Sequence, residues 1–324
     1  MPIHPRLPRT ISLACALALT LSIAPHAFAD DSGDAAPPAR FTGPLVSGAP
    51  SLPQGLFNIE PYLIYNHVDA YYDANGDRHS LAESSAGWHL AVPMLYGITD
   101  RLTIGAVLNA FHGDNAFGDG TTRMGDASVS VMYKFLQGQG AARPSLTAVF
   151  RQNLPIGKHD QMDLEPHDLT TGSGAATTTV GLHGQVYSTL GGRTLRSRAN
   201  LKYTLPYDGA TVHGESVYAT FAGFEGVADL QGGWQATTGF EYALDSRWVL
   251  AIDGVYERDF GVAIGDADGR FVSKSPHAWR FSVAPAVEYH FNDNVGVIAG
   301  VFASLAGRNS SAVLAPQVAV NVAF

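Results

Sequence analysis

Along much of this chain the side chains alternate with a period of two residues, and this alternation limits its possible folds more than any other feature. From Trp279 to Phe291 every second residue is apolar or aromatic, with Pro285 among them, whereas the residues between are polar or small. Successive side chains of a β-strand point to opposite faces, so the pattern predicts strands with one apolar face and one polar or small face. The same alternation occurs at residues 127–135, 195–205, 248–257 and 317–324.

Turn residues separate the alternating segments, and the lengths of the connections alternate as well. About twelve strands are expected, beginning near residues 56, 83, 101, 125, 145, 177, 194, 231, 247, 277, 295 and 312. Short turns are expected at 97–100, 190–193, 245–247 and 292–294, and longer polar links near 72–82, 112–123, 157–175, 207–230 and 261–276. Two connections depart from this order, a longer turn at 137–144 and a short link at 307–311. An even number of strands joined in this way is typical of bacterial outer-membrane barrels.

Aromatic residues are concentrated near the ends of the apolar faces, where a barrel would meet the two membrane interfaces. The clearest pairs are Trp88 with Tyr96, Trp248 with Tyr256, and Trp279 with Tyr289. A secreted, soluble β-sandwich also alternates, but it predicts neither these aromatics nor the loop lengths. We therefore predict an all-β fold, a transmembrane antiparallel up-and-down β-barrel of about twelve strands, in contact with the lipid of the bacterial outer membrane.

The first 29 residues have the layout of a secretion signal peptide. Arg6 and Arg9 supply positive charge, residues 11–24 form an apolar stretch, and 27–29 read Ala-Phe-Ala, a typical cleavage site. The apolar stretch is shorter than the roughly 20 residues that span a bilayer. We predict a signal peptide over residues 1–29, which is cleaved on secretion.

Cleavage would leave a mature chain that starts at Asp30 and contains no cysteine, because Cys15 is the one cysteine in the sequence. A lipoprotein is disfavoured because Ser12 stands where a lipobox prefers leucine. The net charge would change from −9 to −11, since 20 basic residues become 18 against 29 acidic ones. This acidity argues against a nucleic-acid partner. The most apolar later run, 295–305, is too short for a transmembrane helix, which needs about 18 residues.

The mature chain divides into two parts by composition. Residues 30–54 are rich in Pro, Gly, Ala and Ser and show no periodicity, which predicts a flexible N-terminal extension. Residues 55–324 carry the alternating segments and form the predicted barrel. The chain ends on an aromatic residue, Phe324, and by resemblance to other outer-membrane proteins we expect it to be the signal that the barrel-assembly machinery recognises.

Several stretches resemble one family of outer-membrane transporters. Residues 95–105 read Leu-Tyr-Gly-Ile-Thr-Asp-Arg-Leu-Thr-Ile-Gly, and Gly125-Asp126 leads to Tyr133-Lys134-Phe135. Pro144-Ser145-Leu146 then runs to Leu154-Pro155-Ile156-Gly157. These residues are similar to the family named for the meta-pathway of phenol degradation. The resemblance implies a porin-like channel for passive uptake of small organic solutes, including aromatic ones.

If the apolar faces meet lipid, the opposite faces line the lumen and carry the charges that select solutes. The expected pore-lining residues are Lys134, Arg151, Arg196, Arg198, Lys202, Glu241, Asp253, Glu257, Arg280 and Glu288, with Glu60 and His290 beside them. The basic residues fall mainly on strands between 125 and 205 and the acidic ones on strands between 231 and 291, which predicts a field across the pore. The same charges could instead pair and fill a narrow lumen, and a barrel of this size allows either. Residues 30–54 or the link at 207–230 are the candidate occluding elements.

Two other functional classes remain to be compared with a channel. An outer-membrane enzyme of lipase type needs a serine oriented by a histidine, and the strand residues His89, His183 and His290 have Ser188 or Ser282 nearby in sequence. No short motif of such an enzyme is visible, and we predict a protein that is not an enzyme. A structural or adhesive barrel would need a passenger domain, for which the extension is too short.

Metal binding is also not expected. The link at 157–175 contains His159, Asp160, Asp163, Glu165, His167 and Asp168, a composition more typical of a solvated loop than of a site with fixed ligand geometry. Residues 73–77 and 266–269 look like fragments of a calcium loop but lack its glycine and final glutamate, so we predict turns. We expect no catalytic residue, no metal and no cofactor.

Overall fold

The computed structural model describes residues 41–42, 45–46, 51–113, 120–138, 142–162 and 169–324. Within these ranges the chain forms eighteen β-strands. They are β1 (Phe57–Ile59), β2 (Tyr62–Tyr72), β3 (Arg78–Gly97), β4 (Leu102–Gly113), β5 (Thr122–Met124), β6 (Ala127–Leu136), β7 (Ser145–Leu154), β8 (Thr178–Leu190) and β9 (Arg193–Thr204). The remaining strands are β10 (Tyr207–His213), β11 (Glu225–Leu230), β12 (Gly233–Ala243), β13 (Trp248–Asp259), β14 (Val262–Asp266), β15 (Phe271–Lys274), β16 (Ala278–His290), β17 (Val295–Arg308) and β18 (Ser310–Ala323).

Twelve of these strands close into one antiparallel barrel. The order around the barrel is β2, β3, β4, β6, β7, β8, β9, β12, β13, β16, β17 and β18, and β18 pairs with β2 to close it. The short strands β1 and β5 continue this wall, β1 between β18 and β3, and β5 beside β4. Closure removes the unpaired edges of an open sheet. The predicted strand number and barrel class are confirmed.

The barrel has its apolar surface on the outside. On β13, Leu250 and Ile252 are 46% and 47% exposed, whereas Val249, Ala251 and Asp253 between them are buried. The other barrel strands repeat this arrangement, with large exposed apolar side chains all around the wall. Such a surface is stable in hydrocarbon and unfavourable in water, and closed barrels satisfy all backbone hydrogen bonds between strands. The wall is therefore that of a membrane-spanning barrel.

Aromatic rings form two bands at the two ends of this apolar wall. Near one end, the Tyr65 ring lies 4.9 Å from Trp88, and Tyr256 lies between Trp234 at 5.0 Å and Trp279 at 5.8 Å. Near the other end, Tyr289 lies 4.7 Å from Trp248 and 5.0 Å from Phe291, and Phe57 lies 5.2 Å from Phe324. These are the positions at which amphipathic rings meet the membrane interfaces. The aromatic bands follow the sequence prediction.

The two ends of the barrel differ in their connections. One end of the barrel, which we call the short-turn end, carries the tight turns. These include the hairpin at Gly191-Gly192, where both residues have positive φ. The first and last residues of the barrel sequence also lie at this end. The opposite, long-loop end carries most of the longer links. One expected link is shorter than predicted: β3 begins at Arg78, because polar residues extend this strand beyond the apolar band, and only residues 73–77 join it to β2.

Two of the expected long links at this end contain strands. The chain forms a four-stranded sheet in the order β10, β11, β14 and β15, which continues the wall made by β9, β12, β13 and β16. The sheet has its own apolar cluster around Val212, Phe224, Ala228 and Ile264. These strands have 4–7 residues, too few for the alternation to separate them from loops by sequence. In the described residues, no helix is long and apolar enough to cross a membrane.

Candidate solute path through the barrel

Charged side chains on neighbouring strands pair with one another inside the barrel. Arg196 on β9 donates through Nε to Glu241 Oε2 of β12 at 2.6 Å, and through Nη2 to Oε1 of the same carboxylate. Arg198 Nε lies 3.3 Å from Glu241 Oε2, and all three side chains are fully buried. One carboxylate therefore serves two guanidinium groups, where the basic and acidic parts of the wall meet.

A second row of polar side chains runs across four strands nearer the long-loop end. Lys202, Gln235, Glu257 and Arg280 occupy directly opposed positions on β9, β12, β13 and β16. Lys202 Nζ donates to Gln235 at 3.3 Å, Gln235 Nε2 donates to Glu257 at 3.1 Å, and Arg280 Nη2 donates to Glu257 at 2.6 Å. Directly opposed positions place side chains close enough to interact, so this row neutralises much of its own charge.

Part of the inner wall is apolar. Buried apolar side chains from β2, β3, β13, β16, β17 and β18 form one continuous cluster. Its members are Tyr62, Ile64, Ala91, Ala251, Val255, Ala284, Ala286, Ile298, Phe302, Val313, Ala315 and Ala319, together with Leu45 and Val46 from the N-terminal extension. The inner surface is therefore amphipathic, with charged and apolar parts that adjoin on β13 and β16. The alternation predicts polar or small residues on this face, and the expected pore-lining residues are charged ones and a histidine, so it does not predict the apolar cluster.

The N-terminal extension enters the barrel. Residues 41, 42, 45 and 46, which we call the lumen segment, are all buried in the interior. Thr42 N donates to Glu288 Oε2 at 2.7 Å, and Val46 N donates to Asp253 Oδ2 at 2.9 Å. These buried carboxylates thus accept hydrogen bonds from backbone N–H groups of the lumen segment, whose described residues form no strand or helix. The expectation of a flexible extension differs from the structure here, because the extension contains isolated apolar residues that the barrel buries.

The Phe41 ring of the lumen segment lies in an inward-facing pocket. The Arg196 guanidinium carbon is 4.5 Å from the centre of the ring, and the Tyr187 ring is 6.1 Å away. Ala243 and Val249 complete the apolar contacts of this pocket. A guanidinium over an aromatic face is attracted by the negative face of the ring. The bidentate contact of Arg196 with its carboxylate partner holds the guanidinium in a fixed plane.

The barrel wall leaves room for the lumen segment at two glycines of β17. A Cβ added to Gly296 would lie 2.5 Å from Thr42 Cγ2, and a Cβ added to Gly300 would lie 2.5 Å from Leu45 Cδ1. Both distances are shorter than any van der Waals contact, so a larger residue at Gly296 would push Thr42 away, and at Gly300 it would also meet the Pro285 carbonyl at 2.4 Å. Further along the extension, Leu52 N donates to Thr103 Oγ1 of β4 at 2.8 Å. The described residues of the extension therefore contact separate parts of the inner wall near the short-turn end.

At the long-loop end, one carboxylate fastens a loop over the barrel rim. Asp126 accepts hydrogen bonds from Gly157 N at 3.0 Å, Ser173 N at 2.9 Å, Ser173 Oγ at 2.8 Å and Asn153 Nδ2 at 3.1 Å. Tyr218, between β10 and β11, donates its hydroxyl to the Ser173 carbonyl. Burial and the nearby carboxylate of Asp126 raise the pKa of Tyr218, so the phenol stays a proton donor.

The structure places all ten expected pore-lining residues on inward-facing strand positions. Arg196, Arg198, Lys202, Glu241, Asp253, Arg280 and Glu288 are buried, and Lys134, Arg151 and Glu257 are half-buried. Glu60 and His290 are also inside, where Glu60 accepts from Tyr62 at 2.7 Å and from Asn321 at 2.8 Å, and His290 lies 3.3 Å from Glu288. Their part in solute passage remains a prediction.

The residues considered for catalysis and metal binding lie in other surroundings. Ser188 donates to the Leu195 carbonyl and Ser282 lies 3.4 Å from Ser304 Oγ, while His89 pairs with Asn109 at 2.9 Å. His159 and Asp160 of the candidate metal cluster lie 3.7 Å apart, and Asp160 also pairs with His213 at 3.1 Å. Asp163, Glu165, His167 and Asp168 lie outside the described residues.

The fold and its inner surface define a class: a transmembrane β-barrel of the bacterial outer-membrane type whose own N-terminal segment lies in an amphipathic lumen. A crystal structure of an outer-membrane channel from Pseudomonas putida F1 shares this fold with a TM-score of 0.63 at 17% identity, over 85% of this chain and 97% of that one. At this identity the likeness establishes the fold alone.

Two further solved structures are similar to a lesser degree. A KdgM porin in complex with oligogalacturonate has a TM-score of 0.41 at 10% identity, over 82% of this chain and 99% of that one. A mutant of the TodX monoaromatic hydrocarbon channel has a TM-score of 0.40 at 14% identity, over 84% and 91% of the two chains. These TM-scores are too low to support a conclusion about solutes. No protein-family model and no curated protein sequence matches this chain.

Proposed function

We propose that this protein is an outer-membrane channel for the passive uptake of small organic solutes, including aromatic ones. The observation that carries the proposal is the amphipathic lumen, in which a continuous apolar cluster adjoins paired charges. A lumen lined by charges alone favours hydrated ions. Apolar side chains also accommodate the hydrophobic part of an organic molecule, while polar groups beside them fix the orientation.

Two further points support this proposal. The sequence resembles a transporter family named for phenol degradation, and the fold is shared with an outer-membrane channel. With a signal peptide over residues 1–29 and Phe324 as the assembly signal, the chain would reach the outer membrane through the barrel-assembly machinery. The short-turn end would then face the periplasm, as in other outer-membrane barrels.

Solute flux through reconstituted vesicles tests the proposal. We would use permanently charged aromatic ions that lipid does not pass, benzenesulfonate and benzyltrimethylammonium, and compare each with its cyclohexyl counterpart. We expect the aromatic ions to cross faster, because they combine a flat apolar face with a polar group. Since the lumen segment obstructs the interior, the same measurement is made on a Phe41→Ala/Leu45→Ala variant, in which flux should rise.

The channel proposal is wrong if neither the native chain nor this variant passes any tested solute while both retain the folded, heat-modifiable barrel. Release of fatty acid from the vesicle lipid in that experiment would instead favour an outer-membrane enzyme. The absence of both flux and hydrolysis would favour a structural or adhesive barrel.

A further inference from the structure

The pocket that holds Phe41 has the composition of a ligand site rather than of a barrel wall. It combines a buried guanidinium with its face open to a ring, one aromatic neighbour, and the apolar side chains of Ala243 and Val249. The buried carboxylate of Glu288, which accepts the next backbone N–H of the segment, lies beside it. Here the Arg196 guanidinium and the Glu288 carboxylate contact an occupant in addition to their partners in the wall.

At the Phe41 pocket, the described contacts of the occupant are ones that a small molecule can reproduce. In the described residues, the recorded polar contacts of the lumen segment with the wall are the ring over Arg196 and two N–H groups given to carboxylates, at 2.7 and 2.9 Å. The described residues of the segment form no strand with the wall, because the neighbouring barrel strands already pair with one another. Two glycines of β17 shape the wall to its side chains.

We propose, building on the channel function above, that the Phe41 pocket is a binding site for a monocyclic aromatic solute that carries a hydrogen-bond donor, and that the lumen segment occupies it as an internal competitor. The ring of the solute takes the place of the Phe41 ring over Arg196. Its N–H or O–H group takes the place of Thr42 N at the Glu288 carboxylate. A solute that binds here displaces the segment from the path.

The test uses a probe that copies the atoms of the segment. In 3-phenylpropanamide a phenyl ring is joined to an amide N–H through three carbon atoms, as the Phe41 ring is joined to Thr42 N. Its affinity for the full chain in detergent is measured by equilibrium dialysis. In the Phe41→Ala variant the competitor loses its ring, so we expect binding at least about tenfold tighter than in the native chain. The matched control is Phe221→Ala, which removes an exposed ring at the long-loop end and should leave the affinity unchanged.

Two comparisons separate a specific site from general apolar binding. In the Phe41→Ala background, 3-cyclohexylpropanamide has the same length but no aromatic face, so we expect about fivefold weaker binding. Adding Glu288→Gln to this background replaces a charged acceptor by a neutral one, and we expect about tenfold weaker binding of the phenyl probe. Equal binding of the two probes, or an unchanged affinity in the glutamine variant, would overturn the assignment of the pocket.

A substitution in the wall tests the displacement itself. A Cβ at Gly296 would lie 2.5 Å from Thr42 Cγ2, so Gly296→Ala pushes the segment away without changing a residue of the pocket. We expect this variant to bind the phenyl probe severalfold more tightly than the native chain and to conduct more. Unchanged probe binding would show that the segment does not compete. Binding and flux are measured separately, so the two proposals can fail independently. Probe binding without flux in any variant would disprove the channel function and leave the binding site standing. Flux without probe binding would disprove the binding site and leave the channel function standing.

Discussion

At the scale of single residues, the stability of the buried charges depends on their partners more than on their sign. Glu241 accepts from Arg196 and lies 3.3 Å from Arg198, and none of these side chains reaches solvent. Removing one member of a buried ion group leaves the others without compensation, which commonly costs about 3–5 kcal/mol. The stability of the wall around Glu241 is therefore expected to depend on this one carboxylate.

Glu241→Gln should lower the free energy of unfolding by about 3–5 kcal/mol, because two buried guanidinium groups lose the carboxylate that they share. Urea unfolding of the detergent-folded barrel measures this change. Glu225→Gln is the control, since that side chain is 64% exposed and its loss should change stability by less than about 1 kcal/mol. Similar effects of the two substitutions would mean that the inner charge group does not stabilise the barrel.

Replacing Arg196, Arg198 and Lys202 together by glutamine should shift the channel away from anions. The inner wall then keeps its acidic groups, including Asp253 and Glu288, without the basic ones beside them. Reversal potentials in a salt gradient measure the shift. Arg270→Gln, a change at an exposed turn outside the barrel, is the control for charge lost elsewhere. An unchanged reversal potential would exclude these residues from the selective part of the path.

At the scale of elements, Asp126, the acidic residue just before β6, makes several of the contacts that hold the loop after β7 at the long-loop end. Asp126 accepts hydrogen bonds from Gly157, Ser173 and Asn153, so it joins both ends of the loop to the barrel wall. Hydrogen bonds to a charged group stabilise by about 1.5–3 kcal/mol each. The loop should therefore open locally long before the barrel unfolds.

Asp126→Asn should accelerate proteolytic cleavage within residues 157–175 by about tenfold or more, because a neutral amide cannot accept the same set of hydrogen bonds. Limited proteolysis followed by mass spectrometry locates the cleavage, and the heat-modifiable band shows that the barrel remains folded. Asp268→Asn, in an exposed turn, should not change the rate. Cleavage at the native rate in the Asp126 variant would show that other contacts hold the loop.

The elements also show what could be predicted from sequence and why. The period-two alternation predicted the barrel strands closely, since lipid outside and charges inside impose it on every one of them. It did not predict β10, β11, β14 and β15, because their 4–7 residues are too few for the alternation to separate them from loops. The extension was named as a candidate occluding element, but the residues of it that form the lumen segment could not be predicted, for another reason. Phe41, Leu45 and Val46 are isolated apolar residues in a Pro- and Gly-rich stretch, and nothing in a local pattern indicates that a distant wall will bury them.

At the scale of the whole molecule, the closing seam joins the last strand to the first. Phe324 exchanges both backbone hydrogen bonds with Phe57, at 2.8 and 2.9 Å, and their rings lie 5.2 Å apart. Phe324 itself is 67% exposed toward the membrane side. Its ring is thus accessible on the finished barrel, while its backbone belongs to the seam.

Phe324→Ala should reduce the amount of protein assembled in the outer membrane severalfold without preventing refolding into detergent, if the ring is a recognition signal more than a structural support. Fractionation of expressing cells measures assembly, and heat modifiability measures refolding. Phe291→Ala is the matched control, because that ring is also exposed at the short-turn end, at 57%. If both variants assemble in equal amounts, Phe324 is not the assembly signal.

Tethering gives the lumen segment a property that no free ligand shares. Only five residues separate Val46 from Leu52, which is fixed to Thr103 at the barrel wall. A short tether holds its end group at an effective concentration in the millimolar range. A solute that makes the same contacts as Phe41 and Thr42 must therefore reach about that concentration to occupy half of the pockets, and a solute with better contacts needs less. The length of the tether, as much as the chemistry of the pocket, would then decide which compounds enter the cell when they are scarce.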